Sequence, residues 1–357
     1  MTATDNLYMQ RCLQLAAIGA CDVAPNPMVG AVLVVSGKIV GEGYHRRYGE
    51  AHAEPNAIAS VKDQQLLQHA TLYVNLEPCS HYGKTPPCAE LIIKKGIPRV
   101  VIGMLDPNPM VAGRGVKMLQ EAGVEVIVGV MELECRELNK RFICYHEKHR
   151  PYITLKWAQS ADGYIDHIRT DRKQQVAVIS SAFTKKLVHK MRAENMAILV
   201  GTVTAILDNP SLRTTRWCGN NPLRIALDRT GKIPDESKLF DGQTPTLIFT
   251  EKQDYTQHPN TETCIVNFEF SHLLWTQIMQ ELYRRKIHSL IVEGGTKTLT
   301  ELLSENLWDE IQVETSPHRL GNGVEAPRFN AVMSGEENYD GHRMHHYHNT
   351  EKPDWIL

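Results

Sequence analysis

One imidazole and two thiols that must meet at a single point constrain this chain more than any other feature. His52-Ala53-Glu54, Pro78-Cys79 and Cys88 carry the side chains that zinc prefers. A catalytic zinc keeps three protein ligands and leaves a fourth position for water, and one His with two Cys supplies those three. Glu54 stands two residues past His52, close enough to take a proton from water activated there and hand it on without being a ligand itself. The bland alternative gives the same residues other roles: His52 as a surface histidine, the cysteines as small buried hydrophobes.

Local pattern favours the metal. Pro55 follows Glu54, and Ala57, Ile58 and Val61 recur at helical spacing, so His-x-Glu opens a helix in the turn where proline is tolerated. Leu72 to Leu76 is a strand delivering Cys79 to the next turn, and Cys88 opens a helix through Leu91, Ile92 and Ile93. Positive helix N-termini favour thiolates. The insert between the cysteines, Ser80 to Pro87, is eight residues of turn formers and polar groups that let the second thiolate fold back.

At 357 residues the chain exceeds one typical core, which predicts two domains. A net charge of −2 without a basic stripe argues against nucleic acid and leaves a small phosphorylated substrate open. No apolar run approaches a membrane span and no leader pattern is visible, so the cytoplasm is expected, with no membrane partner. Eight scattered cysteines do not resemble a secreted disulfide framework.

Along the first half, the pattern predicts a helix ending near Gly19 and then the loop Pro25-Asn26-Pro27, whose Asn26 can pair with a pyrimidine edge or simply make a turn. A strand over Val29 to Val35, a hairpin at Ser36-Gly37-Lys38 and a loop from Gly41 to Gly49 follow. His45 in that loop is either a substrate contact or an exposed histidine. Val100 to Gly103 is a strand, Asp106-Pro107-Asn108-Pro109 a turn, Gly115 to Glu121 helical, Val124 to Val128 a strand, and Glu132 to Phe142 one helix. This alternation implies a three-layer α/β/α domain. His146 to Pro151 reads as the connector, dividing the chain into 1–147 and 148–357.

The second half begins with a strand from Pro151 to Lys156 and a turn at Ser160-Ala161-Asp162-Gly163. Ile179-Ser180-Ser181 caps a helix, and Ala197 to Gly201 is a buried strand. Ser289 to Glu293 is an apolar strand that runs into Gly294-Gly295 and a further helix. Backbone N–H groups at such a start favour phosphate, although two glycines before a helix are also an ordinary turn, and no G-x-G-x-x-G is present. His342, His345, His346 and His348 near the C-terminus read as a solvated face rather than a second metal site.

Taken together, Pro25-Asn26-Pro27, Val29 to Val32, His52-Ala53-Glu54, Leu76 to His81, Thr85 to Cys88 and Asp106 to Pro109 resemble the bifunctional riboflavin-biosynthesis deaminase/reductase family. Pro151 to Asp162, Arg192-Ala193, Gly201 to Leu212, Leu227-Asp228 and Val292 to Leu299 extend the resemblance through the second half. It implies an α/β chain with a cytidine-deaminase-like domain followed by a dihydrofolate-reductase-like one. It also implies one Zn²⁺ on His52, Cys79 and Cys88, with Glu54 as proton shuttle and NADPH as hydride donor. The implied substrate is a diamino-ribosylamino-pyrimidinone 5′-phosphate, and the implied assembly a homodimer.

Carried over residue by residue, Gln159, Val178, Thr204, Asp208, Arg229, Gly295, Thr296, Lys297, Thr298, Leu299, Thr300 and Glu301 fall at cofactor positions. Asn26, Val176, Arg192, Leu212, Arg216 and Glu293 fall at substrate positions, with Arg192 on the phosphate and Arg216, or else Arg213, assisting. The chain departs from the family pattern at Val23 (usually threonine), Pro55 (usually valine) and Val176-Ala177-Val178 (usually Ser-x-Trp), and its Arg213 to Arg216 run is one residue longer. Three other readings stay open: a nucleoside or tRNA deaminase with an accessory domain, a structural zinc module on an NADP-sensing scaffold, and a deaminase whose reductase half is impaired.

Overall fold

The structure, a computed structural model, describes residues 2–82, 86–108 and 111–349. Gly83, Lys84 and Thr85 of the insert and Pro109 of the expected turn lie outside the described residues. Two compact units divide the chain, Met1–His149 and Arg150–Leu357.

The first unit runs α1 (Ala3–Ala17), β1 (Gly30–Val35), β2 (Lys38–Tyr44), α2 (Ala53–Ser60), β3 (Thr71–Leu76), α3 (Cys88–Lys94), β4 (Arg99–Met104), α4 (Arg114–Glu121), β5 (Glu125–Val128), α5 (Glu132–Leu138) and α6 (Lys140–Lys148). Its sheet has the order β2-β1-β3-β4-β5, antiparallel at the hairpin end and parallel from β3 onward. Period two sorts the apolar residues into two cores. Ala31, Leu33, Leu72, Val74, Val100 and Ile102 pack against Ala57, Ile92 and Leu119 of α2, α3 and α4. Their neighbours Val32, Val34, Tyr73 and Val101 face Met9 and Cys12 of α1 and Cys135 of α5. The sheet is therefore covered on both sides, as a three-layer domain requires.

Three local expectations are corrected. β2 continues through Gly41 to Tyr44 instead of becoming a loop, because its glycines let α2 lie directly on the strand: a Cβ at Gly43 would sit 2.3 Å from the Ala57 nitrogen. The helix expected over 132–142 breaks at Asn139, whose side chain is drawn to the backbone of Met28. The stretch read as a connector is helical to Lys148, and His149 turns left-handed at φ 54°, so the compact units divide two residues later than expected.

The second unit runs β6 (Tyr152–Gln159), β7 (Tyr164–Asp166), α7 (Ala182–Ala193), β8 (Ala197–Val200), α8 (Thr202–Leu207), β9 (Leu223–Leu227), β10 (Thr246–Thr250), β11 (Thr261–Ile265), α9 (Ser271–Arg284), β12 (Ser289–Glu293), α10 (Thr296–Ser304), β13 (Glu310–Thr315), β14 (Val324–Glu325), β15 (Met333–Tyr339) and β16 (His342–His348). Nine strands form one sheet of order β11-β10-β9-β8-β12-β6-β13-β16-β15, parallel until β13 and closed by the antiparallel β16 and β15. Ile153, Leu155, Leu199, Ile225, Leu290 and Val292 pack against Leu274, Ile278 and Leu282 of α9 and Leu299 and Leu302 of α10. On the other face Ile198, Val200, Ile248 and Ile291 meet Ala205 of α8. No helix of the described residues is long and apolar enough to cross a membrane.

The close approach of α2 to β2 sets a test. Gly43→Ala should cost about 1–3 kcal/mol in urea unfolding, because a helix backbone blocks the new methyl. Gly335→Ala, in β15 with nothing within 4 Å and no left-handed backbone, should cost no more than about 1 kcal/mol. A loss at Gly43 no larger than at Gly335 would show that α2 has room to move.

Candidate zinc centre and dinucleotide cleft

His52 is the N-cap of α2, Cys88 the first residue of α3, and Cys79 sits in the loop beyond β3. Their ligand atoms all lie within 4.8 Å of one another, the one such His/Cys/Asp/Glu group among the described residues. His52 Nδ1 is 3.6 Å from Cys79 Sγ and 3.4 Å from Cys88 Sγ. Bonds of about 2.3 Å to sulfur and about 2.0 Å to nitrogen, set at a tetrahedral angle, separate N from S by about 3.5 Å. The donor set and its spacing therefore fit zinc.

Electrostatics agree with this fit. Hydrogen bonding from the Cys88 thiol and from His52 draws the Cys79 thiol down to about 4, while the same contact with Cys79, together with burial, pushes Cys88 up. Two sulfurs competing for one proton in a buried site are relieved by a divalent cation. The Cys88 backbone N–H also donates to Cys79 Sγ at 3.3 Å. Burial raises the Glu54 carboxyl to about 7, and the charge of Cys79 adds to the rise. A carboxyl near neutrality can both take and give a proton at working pH.

These groups open into a cavity of about 230 Å³ lined by Asn26, His45, His52, Glu54, Asp106 and Asn108 among others. His45 is buried, not exposed. Its Nδ1 lies 3.0 Å from the Ala51 carbonyl and so carries the proton, which leaves Nε2 to accept from Asn26 Nδ2 at 3.0 Å. Burial lowers the His45 pKa, consistent with this neutral tautomer. The Asn26 loop is held in turn by Asn75 and Asn139, which both engage the backbone of Met28.

Sequence reasoning missed Glu77. Its buried carboxylate accepts from the backbone N–H groups of Asp106 (3.2 Å), Gly113 (2.9 Å), Gly115 (2.8 Å) and Val116 (3.2 Å), tying the end of β3 to the turn after β4 and to the start of α4. Gly115 has no alternative, since a Cβ there would lie 2.1 Å from the Pro78 carbonyl. Two residues before Cys79, Glu77 fixes where that ligand stands. Nothing in a single acidic residue ahead of a proline announces four backbone partners.

The second unit holds a larger cleft of about 710 Å³ at the carboxyl ends of β6, β8 and β12. Thr204, Asp208, Gly295, Thr296, Lys297 and Val178 line it, as do Val176, Arg192, Leu212 and Glu293. Gly294 and Gly295 have φ of 82° and 70°, and a Cβ on Gly294 would lie 2.9 Å from the Thr204 methyl, so glycine brings the backbone close there.

The other cofactor and substrate positions are not brought to this cleft. Gln159 borders a separate cleft of about 440 Å³, and its amide faces Trp157 Nε1 at 2.9 Å and Thr315. Arg229 pairs with Glu251 at 2.7 Å away from the cleft, and Arg216 is exposed outside it. Only the first turn of α10 faces the cleft. Thr298 and Leu299 are buried, while Thr300 and Glu301, on the same helix face as Thr296 and Lys297 but one turn further along, lie beyond the cleft lining.

Arg192 is a fork on Glu293, with Nη2 to Oε2 at 2.6 Å and Nε to Oε1 at 3.2 Å. Burial presses the Glu293 carboxyl upward, but Arg192 and Lys156 outweigh it and the group stays below its usual range. Lys156 itself was missed, though a lysine inside the apolar run of β6 is a readable signal. Arg169 was also missed. Its guanidinium is almost fully buried between Asp166, at 2.5 Å, and Asp208.

Removing the Glu77 carboxylate orphans four backbone donors. Glu77→Ala should destabilise the first unit by about 2–4 kcal/mol, and chelator should strip its metal faster than from the wild type. Unchanged metal release in competition with a chromogenic chelator would show that the loop does not need this anchor.

Comparison with known proteins places the site in a family. Residues 2–104 match the cytidine and deoxycytidylate deaminase zinc-binding region, and residues 151–332 match the RibD C-terminal domain. The riboflavin biosynthesis protein RibD of Aquifex aeolicus is 42% identical, covering 90% of this chain and 89% of its own. The Escherichia coli protein of the same name is 37% identical, covering 89% of each. Among solved structures, a diaminohydroxyphosphoribosylaminopyrimidine deaminase/5-amino-6-(5-phosphoribosylamino)uracil reductase of Thermotoga maritima superposes with a TM-score of 0.87 at 36% identity, covering 97% of this chain and 98% of its own. With both halves matched over nearly the whole length, the chain belongs to the RibD family of riboflavin-biosynthesis proteins.

Proposed function

We propose that this chain performs two successive steps of riboflavin biosynthesis. The first unit deaminates 2,5-diamino-6-ribosylamino-4(3H)-pyrimidinone 5′-phosphate by hydrolysis, and the second unit reduces the product's ribosyl group to ribityl with NADPH. The convergence of His52, Cys79 and Cys88 beside the buried Glu54 carries this reading, because it is a hydrolytic centre in a chain that also holds a dinucleotide-sized cleft.

In the first step zinc on His52, Cys79 and Cys88 would supply an activated water at neutral pH. Glu54 takes the proton released as water adds to the amino-bearing ring carbon and passes it to the departing nitrogen, so that ammonia leaves and a carbonyl remains. Asn26, steadied by His45, aligns the ring. The cavity of about 230 Å³ suits one pyrimidine ring.

In the second step NADPH supplies the hydride. Thr204, Asp208 and the Gly295 to Lys297 turn form the cofactor side of the cleft, while Arg192, Leu212 and Glu293 form the substrate side. The Arg192–Glu293 fork fixes a guanidinium at the cleft, and Lys156 brings an ammonium close to the same carboxylate. Val176 and Val178 offer apolar surface where the family pattern has a hydroxyl and an aromatic ring, so substrate contact at Val176 and cofactor contact at Val178 rest on packing alone. A homodimer and a cytoplasmic location accompany this reading and rest on family likeness.

The decisive assay follows ammonia release and NADPH oxidation separately on zinc-loaded protein. Glu54→Gln should retain zinc yet lose ammonia release by at least about 10²-fold, while NADPH oxidation with pre-deaminated substrate stays at the wild-type rate. Deamination surviving in that variant would overturn the role of Glu54. Ammonia release without NADPH consumption in the wild type would overturn the reductase half and favour a chain impaired at Val176 and Val178.

A further inference from the structure

Glu314 is a fully enclosed carboxylate behind the wall of the larger cleft, bonded to the lining residue Ser180. It lies on β13 with no exposed surface and faces three side-chain donors. Ser180 Oγ donates at 2.5 Å, Thr184 Oγ1 at 2.7 Å and His342 Nδ1 at 2.9 Å. A carboxylate removed from water is tolerable only when its oxygens are so occupied, and each charge-assisted bond is short and directional. His342 is therefore not part of a solvated histidine face: it is buried, whereas His345 and His346 sit 3.7 Å and 3.9 Å from Glu336 and Glu337 of the neighbouring strand.

The three donors come from two places that matter to the cleft. Ser180 lines it and immediately precedes Ser181, the N-cap of α7, and Thr184 lies in the first turn of that helix. α7 then carries Lys185 and Arg192 to the cleft wall. Across the sheet Glu314 stands opposite Ala158 of β6, a cleft residue beside Lys156. His342 opens β16 just after the turn at Asp340-Gly341, both left-handed at φ 52° and 83°. Its ring thus presses the final hairpin onto the carboxylate that holds the start of α7.

We infer that His342, acting through Glu314, is a positioning residue for the NADPH-dependent step: it holds Ser180 and the first turn of α7 so that the cleft wall is set before substrate and cofactor arrive. The inference rests on the reductase reading above and adds to it a specific support far along the chain from the cleft residues.

The full-length zinc-loaded protein tests it. His342→Leu deletes the ring donor, and His342→Asn keeps an N–H where Nδ1 stood. Loss of positioning should raise KM for NADPH and for the deaminated substrate about fivefold in His342→Leu with kcat within about twofold, and Asn should restore KM to within about twofold of wild type. A purely structural role would lower the thermal transition and leave KM of the folded enzyme unchanged; that result, or equal KM increases in Leu and Asn, would overturn the inference. Should His342→Leu not fold, Thr184→Val removes one hydroxyl donor at constant shape, with a KM rise of about two- to threefold expected and an unchanged KM overturning the inference. Ammonia release by the same preparations reports on the first unit. If wild type releases ammonia yet oxidises no NADPH, the reductase reading has failed. The same variants compared by NADPH dissociation constant then judge the positioning inference by itself, where equal constants overturn it.

Discussion

A single buried carboxylate accepting four backbone N–H groups decides the geometry of the first unit. Glu77 stands where β3 ends, and its partners belong to the turn after β4 and the first residues of α4. Without that knot, the loop bearing Cys79 would keep its bonds to the start of α3, from the Cys88 and Ala89 N–H groups, but lose its tie to β4 and α4. The metal site is thus assembled by three separate chain segments, and only one of them needs a dedicated anchor. The other two ligands inherit their places from helix starts packed on the sheet.

Both units use the same solution for placing chemistry. Parallel strands end together, and the residues just past their carboxyl ends, at helix starts, form the site. In the first unit these are Cys79 after β3 and Asp106 after β4; in the second they are Glu293 at the end of β12, Gly295 just after it and Thr204 after β8. The antiparallel strands serve differently in the two cases. β2 supports the helix that begins at His52, and β16 brings His342 to Glu314.

Much of this was legible from the chain because the signals were local. His52, Cys79 and Cys88 sit beside elements whose period and punctuation are plain, and β1, β3 and β4 stand out as short apolar runs. What failed was decided by distant partners. Gly41 and Gly43 read as loop residues, yet they are glycine because a helix lies on them; Asn139 broke a regular helix to reach Met28; Glu77 and Glu314 gave no sign of their partners. Of the stretch carried over from the family as Gly295 to Glu301, Gly295 to Lys297 line the cleft, and the next turn of α10 runs on beyond its lining.

The pairing of Asn26 with His45 has a consequence for discrimination between ring substituents. An amide is ordinarily ambidextrous, able to present either a donor or an acceptor after a half-turn. Here the backbone carbonyl of Ala51 fixes the imidazole tautomer, and the imidazole in turn claims the amide nitrogen. With one amide N–H held by His45, Asn26 cannot make that half-turn, so its oxygen and its second N–H each keep a fixed side. The Ala51 carbonyl, one residue further back in the relay, thereby sets which side of the amide accepts and which donates.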